Sequence, residues 1–280
     1  MLKQIIAILL IPLVTTPSCL QSGNPVMLNK DSLINYSYII NGKDNSTWLT
    51  SGTGSILRYH DKYYLITNYH VLTGKDYKDQ KKFPELRDTN TSISIIFQPL
   101  DRASNFVVMV YPLFNSQGHE NFETLKFQDQ ILDLAIMPIV VPDNAATFSF
   151  DSNDIDTTGS YAQNEKMTIM GFPNGQFKSS WQPTPLEVLL IKNPQSGPNI
   201  NDPFVFFDRP PVKGVSGSPG YILDRDGRPK VLAIVSNIVD PGPETGKIRG
   251  RSIYASNALQ LIKEAYQKNK PPVVAEVYKQ

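Results

Sequence analysis

From residue 36 to residue 254 the chain is a succession of short β-branched and aromatic runs, each ended within a few residues by Gly, Asn, Asp or Pro. Runs of this length bounded by turn formers read as strands. The candidates are 36–40, 51–59, 63–67, 92–97, 106–111 and 132–140, then 166–171, 186–191, 204–207, 220–223, 231–236 and 252–254. Asn41-Gly42 has the composition of a hairpin turn, and His60-Asp61-Lys62 is a polar turn. One segment keeps helical spacing. Leu259, Ile262, Ala265 and Tyr266 follow Ser256, an expected N-cap, and precede Pro271-Pro272. Many short strands with one terminal helix point to an all-β fold, as paired antiparallel barrels or a sandwich.

The chain has 280 residues, enough for one large all-β domain or two small ones. Hydrophobic residues make up 40% and charged residues 19%, a globular balance. Lys and Arg number 27 against 26 Asp and Glu, a formal charge of +1. That balance gives no electrostatic reason to expect nucleic acid as a partner, and no basic patch is evident as a run.

The N-terminus reads as an export signal. Lys3 precedes an apolar stretch at 5–14, and Thr15-Thr16-Pro17-Ser18 follows. The stretch is shorter than a membrane span. Cys19, directly after it, is the only cysteine, so no intramolecular disulfide is available. Cys19 is a candidate for acylation as the first residue of a lipoprotein, which is the one expected route to a membrane. The alternative is its removal with the signal, since Thr16 stands where such signals carry Leu. The expected division is a signal at 1–19, a leader at 20–34, a β unit at 35–145, a second β unit with the helix at 146–268, and a flexible tail at 269–280.

Three segments carry chemistry, in the order His, Asp, Ser: Thr67-Asn68-Tyr69-His70-Val71, Asp133-Leu134-Ala135-Ile136 and Gly214-Val215-Ser216-Gly217-Ser218-Pro219-Gly220. A serine hydroxyl is a poor nucleophile without an adjacent base. An imidazole can take its proton and return it to a leaving group. A buried carboxylate at the other ring nitrogen holds the tautomer and stabilises the imidazolium. Asp133 heads an apolar run that would bury it, and a buried Asp needs a partner. Asp129, in a polar stretch, is the fallback. Of the other histidines, His60 falls in a turn and His119 in a polar loop. Gly214 lets the backbone turn so that its own N–H and that of Ser216 aim at one spot. Losing one such oxyanion donor costs on the order of 3 kcal/mol in the barrier. The polar segment 73–90 after His70 reads as a solvated loop, with contact to substrate as the minor alternative.

These segments, with Gly52-Thr53-Gly54 and Gly171-Phe172-Pro173, resemble the trypsin-like (chymotrypsin-fold) serine peptidases, especially the bacterial trypsin-like peptidase group, over residues 35–268. The resemblance implies two six-stranded antiparallel β-barrels with a C-terminal helix and an active site between them. It implies His70 as base, Asp133 as orienting acid, Ser216 as nucleophile, and the N–H groups of Gly214 and Ser216 as oxyanion hole. No cofactor or metal is implied, and the partners are protein or peptide substrates. Val215 stands where members activated from zymogens carry Asp, so no such activation is expected. Pro210 occupies the position of the pocket acid of basic-selective members. Ser236, Asn237 and Ile238 resemble the strand along the substrate main chain, with Ile238 narrowing the pocket toward small or medium apolar side chains. The alternatives are an inactive binding module of the same fold, or an esterase using the same triad.

Overall fold

A computed structural model of the chain describes residues 28, 30–44, 47–84, 86, 88–100, 106–173, 182–192, 202–239 and 249–277. After a 3-10 segment at Lys30–Tyr36 come β1 (Tyr38–Asp44), β2 (Thr47–Tyr59), β3 (Lys62–Thr67), a single-turn helix α1 (Tyr69–Thr73), β4 (Ser92–Pro99), β5 (Val107–Pro112), β6 (Glu123–Phe127) and β7 (Gln130–Ile139). Then follow β8 (Ala145–Ala146), β9 (Phe150–Asp151), β10 (Lys166–Gly171), β11 (Thr184–Ile191), β12 (Phe204–Phe207), β13 (Pro219–Leu223), β14 (Pro229–Val239) and β15 (Arg249–Tyr254). Helix α2 (Ala255–Gln267) and β16 (Glu276–Val277) end the order.

The fold is all-β with one C-terminal helix of more than a turn or two. Strands β10-β11-β12-β15-β14-β13 form a closed barrel, sealed where β10 meets β13. The N-terminal strands form a sheet in the order β16-β5-β4-β1-β2-β3-β7-β6, with β8 beside β4 and β9 beside β2. This sheet has ten strands rather than six, because β6, β8, β9 and β16 join the six that the sequence pattern marks.

The uninterrupted apolar runs have a simple cause: both faces of the central strands are covered. Successive side chains of a strand point to opposite faces. Leu65, Ala135 and Met137 face the core of the N-terminal sheet with Ile40, Ile56 and Phe97. Their neighbours Tyr64, Ile66, Leu134 and Ile136 face a second core, shared with Val231 and Ile234 of the barrel and Ala258, Leu261 and Ile262 of α2. That shared core joins the two halves. The barrel interior holds Met167, Val188, Phe207, Leu232 and Val235, and Val215 fills a place among them.

Four expectations are corrected. Asn41 and Gly42 lie inside β1, not in a turn. Gly42 is there for close approach, since an added Cβ would fall 1.9 Å from the Asn90 amide nitrogen. Ser256 sits inside α2, whose N-cap is Tyr254, so the helix follows directly on β15. The stretch 142–159, whose richness in Asp, Asn, Ser and Thr gives it the composition of a linker between the two β units, contributes β8 and β9. The tail expected to be flexible runs back over the N-terminal sheet. Val273 exchanges backbone hydrogen bonds with Pro138 and Val140 (2.8 and 3.0 Å), and β16 pairs with β5. Among the described residues no helix is long and apolar enough to cross a membrane.

Gly250 lies in register with Phe207, and a Cβ added there would sit 2.0 Å from the Phe207 ring. That ring is fully buried in the barrel core. Gly250→Ala is therefore expected to lower unfolding stability by about 1–3 kcal/mol in urea denaturation. Leu223→Ser, at a side chain 52% exposed, is expected to change it by less than about 0.5 kcal/mol. Equal stabilities for the two variants would contradict the packing described.

Candidate active site

The register of β3 against β7 brings the first two segments together. Thr67 pairs with Ala135, which sets Asp133 beside the first residues of α1. Asn68 is extended and fully buried, and its side-chain amide donates to the Asp133 carbonyl at 2.6 Å. The chain then makes one helical turn, closed by Gly74 at φ +69°, whose N–H donates to the His70 carbonyl at 2.9 Å. The turn aims both the backbone N–H and the ring of His70 at Asp133. The N–H donates to Oδ1 at 3.1 Å, and Nδ1 lies 2.9 and 2.8 Å from Oδ1 and Oδ2. An ionised carboxylate only accepts, so Nδ1 carries the proton and Nε2 is left as an acceptor.

Asp133 takes a further donor from the barrel. Ser236 lies at the irregularity in the β14–β15 register between Val235 and Asn237, and its hydroxyl donates to Asp133 Oδ2 at 2.8 Å. Such a bulge re-aims a side chain out of the ladder. Asp133 is 1% exposed and the His70 side chain 22%. Burial pushes the Asp133 pKa up, but the His70 ring, the His70 N–H and the Ser236 hydroxyl outweigh it, and the net direction is down. Burial of the imidazole pushes the His70 pKa down, but the Asp133 charge and hydrogen bond outweigh it, and the net direction is up.

The third segment is a tight loop whose shape needs two glycines. Gly214 has φ +93° and Gly217 φ +85°. A Cβ on Gly217 would also fall 2.0 Å from the Thr53 carbonyl oxygen. The N–H groups of Val215, Gly217 and Ser218 donate to Val212, Val235 and Val215. Among the described residues those of Gly214 and Ser216 have no acceptor. The Ser216 hydroxyl donates to the Ser236 carbonyl at 3.4 Å, a long bond, and makes none to His70.

Thr53 of β2 holds this loop from across the cleft. Its N–H donates to the Ser216 carbonyl at 2.8 Å and its hydroxyl to the Gly214 carbonyl at 2.9 Å. The same hydroxyl accepts from Phe172 N–H at 3.2 Å, and the Thr67 hydroxyl donates to the Thr53 carbonyl at 2.7 Å. The sequence motif Gly52-Thr53-Gly54 marks the place, but nothing in it signals a contact with residues some 160 positions away.

His70, Asp133, Ser216 and Ser236 line one cleft of about 410 Å³, within the range of ligand sites. Its walls come from Asp76, Tyr77, Lys78 and Phe83 on one side and Pro211, Val212 and Lys213 on the other. The segment after His70 is thus solvated over 78–82, as expected, but also lines the site through Asp76, Tyr77, Lys78 and Phe83, as the minor alternative had it. Pro210 is exposed, and its neighbours Pro211 to Lys213 supply the wall instead. Asp129 is exposed in the turn between β6 and β7, away from His70. The backbone pairs Asn237 with Arg251 and Ile238 with Gly250; the side chains of both, and Cys19, lie outside the described residues. Among the described residues no group of three or more His, Cys, Asp or Glu is arranged to hold a metal ion.

No protein-family model matches the chain, and no curated protein does. Among solved structures it is similar to a serine endoprotease from Yersinia pestis, at 14% identity and a TM-score of 0.48. The match covers 85% of this chain and 65% of that one.

Thr53→Val keeps the shape of the side chain and removes its hydroxyl. The buried Gly214 carbonyl then loses its donor and the Phe172 N–H its acceptor. We expect a loss of about 1–3 kcal/mol in chemical denaturation. Wild-type stability in Thr53→Val would show that the hydroxyl does not hold the loop.

Proposed function

We propose that the chain is a chymotrypsin-fold serine endopeptidase, with Ser216 as nucleophile, His70 as general base and acid, and Asp133 as the carboxylate that orients the imidazole and stabilises its protonated form. The observation that carries this reading is the hydrogen-bonded line from Ser236 through Asp133 to the His70 ring, opening on the cleft that also holds Ser216. Its substrates are extended segments of polypeptide.

The reaction begins with rotation of the Ser216 hydroxyl from the Ser236 carbonyl toward Nε2 of His70. Catalytic hydrogen bonds of this kind tighten once substrate is bound. Oγ attacks the scissile carbonyl carbon as its proton passes to Nε2. The imidazolium is stabilised by Asp133, which stays ionised. Negative charge on the carbonyl oxygen meets the two N–H groups of Gly214 and Ser216 that have no acceptor of their own. Collapse of this intermediate breaks the C–N bond, and Nε2–H protonates the leaving amine. Water then repeats the sequence on the acyl-enzyme, giving up a proton to Nε2 and freeing the acid and Ser216. Val215 packs into the barrel core, which supports the loop by apolar contact.

A fluorophosphonate probe tests the reading, because it needs only an activated hydroxyl: an Oγ–P bond forms and fluoride leaves. Mass spectrometry is expected to find the adduct on Ser216 and none in Ser216→Ala. The base acts only when neutral. With its pKa raised above the ordinary 6.5, the labelling rate is expected to fall as pH drops through a value above 6.5. A folded chain that takes no label at any pH would favour a binding module instead.

A further inference from the structure

The segment between His70 and β4 does more than border the cleft; it is fastened to the opposite half of the molecule. It leaves α1 at Gly74 and folds back on itself, with Asp76 N–H donating to the Lys81 carbonyl and Gln80 N–H to Asp76, both at 2.8 Å. Its return is anchored by Asn90. The Asn90 amide donates to the carbonyls of Val71 and Leu72 at 3.1 and 2.7 Å and to the Thr50 hydroxyl at 2.8 Å. Between these anchors, the Phe83 ring stands edge-on to the His70 imidazole at 6.1 Å.

At the far end Tyr77 meets Arg251 of the barrel. The guanidinium hydrogen-bonds to the Tyr77 hydroxyl and lies 5.8 Å from the centre of its ring. Arg251 also lies 4.4 Å from the Phe204 ring. Cation–aromatic contacts of this kind are individually modest and grow as water is excluded. Arg251 is in register with Asn237 on β14. The strap therefore reaches the barrel beside β14, the strand that carries Ser236.

We propose that the Tyr77–Arg251 clasp is a specificity device, closing one side of the cleft so that only extended, unfolded polypeptide can be threaded beneath it. Arg251 acts as a positioning residue, through Tyr77, on the wall formed by Tyr77, Lys78 and Phe83. A lysine in its place keeps the charge and loses the planar group that packs on aromatic rings. The inference rests on the peptidase reading for its substrate class, but its geometry can be tested apart from catalysis.

The experiment compares one fluorescent peptide in linear form and in a disulfide-closed cyclic form, with sequence and composition unchanged. In the full chain the linear form is expected to be cleaved with a kcat/KM at least about five-fold above that of the cyclic form. Tyr77→Ala and Arg251→Lys are each expected to bring the ratio close to one, and Tyr77→Phe, which keeps the ring, to retain most of it. Because each ratio is internal to one variant, a general loss of activity does not imitate the effect. Fluorescence anisotropy of the same two peptides on Ser216→Ala gives the binding preference with no chemistry involved. A linear preference there that disappears in Ser216→Ala combined with Tyr77→Ala supports the clasp even if the wild-type chain proves inactive. Equal binding of the two forms, or a preference that survives loss of the Tyr77 side chain, overturns it.

Discussion

A carboxylate that is 1% exposed organises this molecule. An ionised group taken out of water is stable only if its lone pairs are met by donors. Asp133 meets them from three directions: the His70 backbone, the His70 ring and the Ser236 hydroxyl. These donors sit on α1 and β14, so one buried charge ties the turn after β3 to a strand of the barrel. Thr53 makes the reciprocal tie, from the N-terminal sheet to the loop around Ser216. Between them, the two residues register the halves of the protein against each other at the cleft. The shared apolar core beneath them supplies bulk cohesion, but it is non-directional and sets no such register.

Much of the fold is legible in the sequence because the strands are strongly apolar and sharply terminated. The runs at 63–67, 132–140 and 231–236 lack alternation, and the structure supplies the reason: each is covered on both faces. What escapes reading is decided by contacts far along the chain. Gly42 looks like half of a turn dipeptide, yet it is a flat place on β1 against which Asn90 packs. β6, Glu-Thr-Leu-Lys-Phe, is a short mixed run in a polar region and is a strand through its pairing with β7. The tail is held by the Lys270 ammonium on Glu123 and the Phe122 carbonyl, partners roughly half the chain away.

The candidate site divides in the same way. The segments around His70, Asp133 and Ser216 stand out because each puts a reactive residue beside an apolar strand or in a glycine-rich turn. The supporting roles of their neighbours do not stand out, even where the residues fall inside a recognisable segment. Thr53, Asn68 and Ser236 are ordinary polar side chains whose partners are fixed by topology. The wall contributed by Tyr77, Lys78 and Phe83 is hidden for a further reason. A polar, lysine-rich stretch has the composition of a solvated loop, and its place is fixed by distant partners, Asn90 at its return and the Arg251 guanidinium across the cleft.

The central claim is that Asp133 holds His70 as an Nδ1-protonated imidazole with its pKa raised above the ordinary value, and the chain is well suited to a direct measurement because it contains only three histidines. Nitrogen-15 NMR of the histidine rings across pH resolves each one. One ring is expected to titrate above the ordinary imidazole range and to show a ring N–H proton shifted far downfield by its carboxylate partner. In Asp133→Asn both features are expected to vanish. Three rings titrating together near the ordinary value, with no downfield proton in the wild-type chain, would contradict the account.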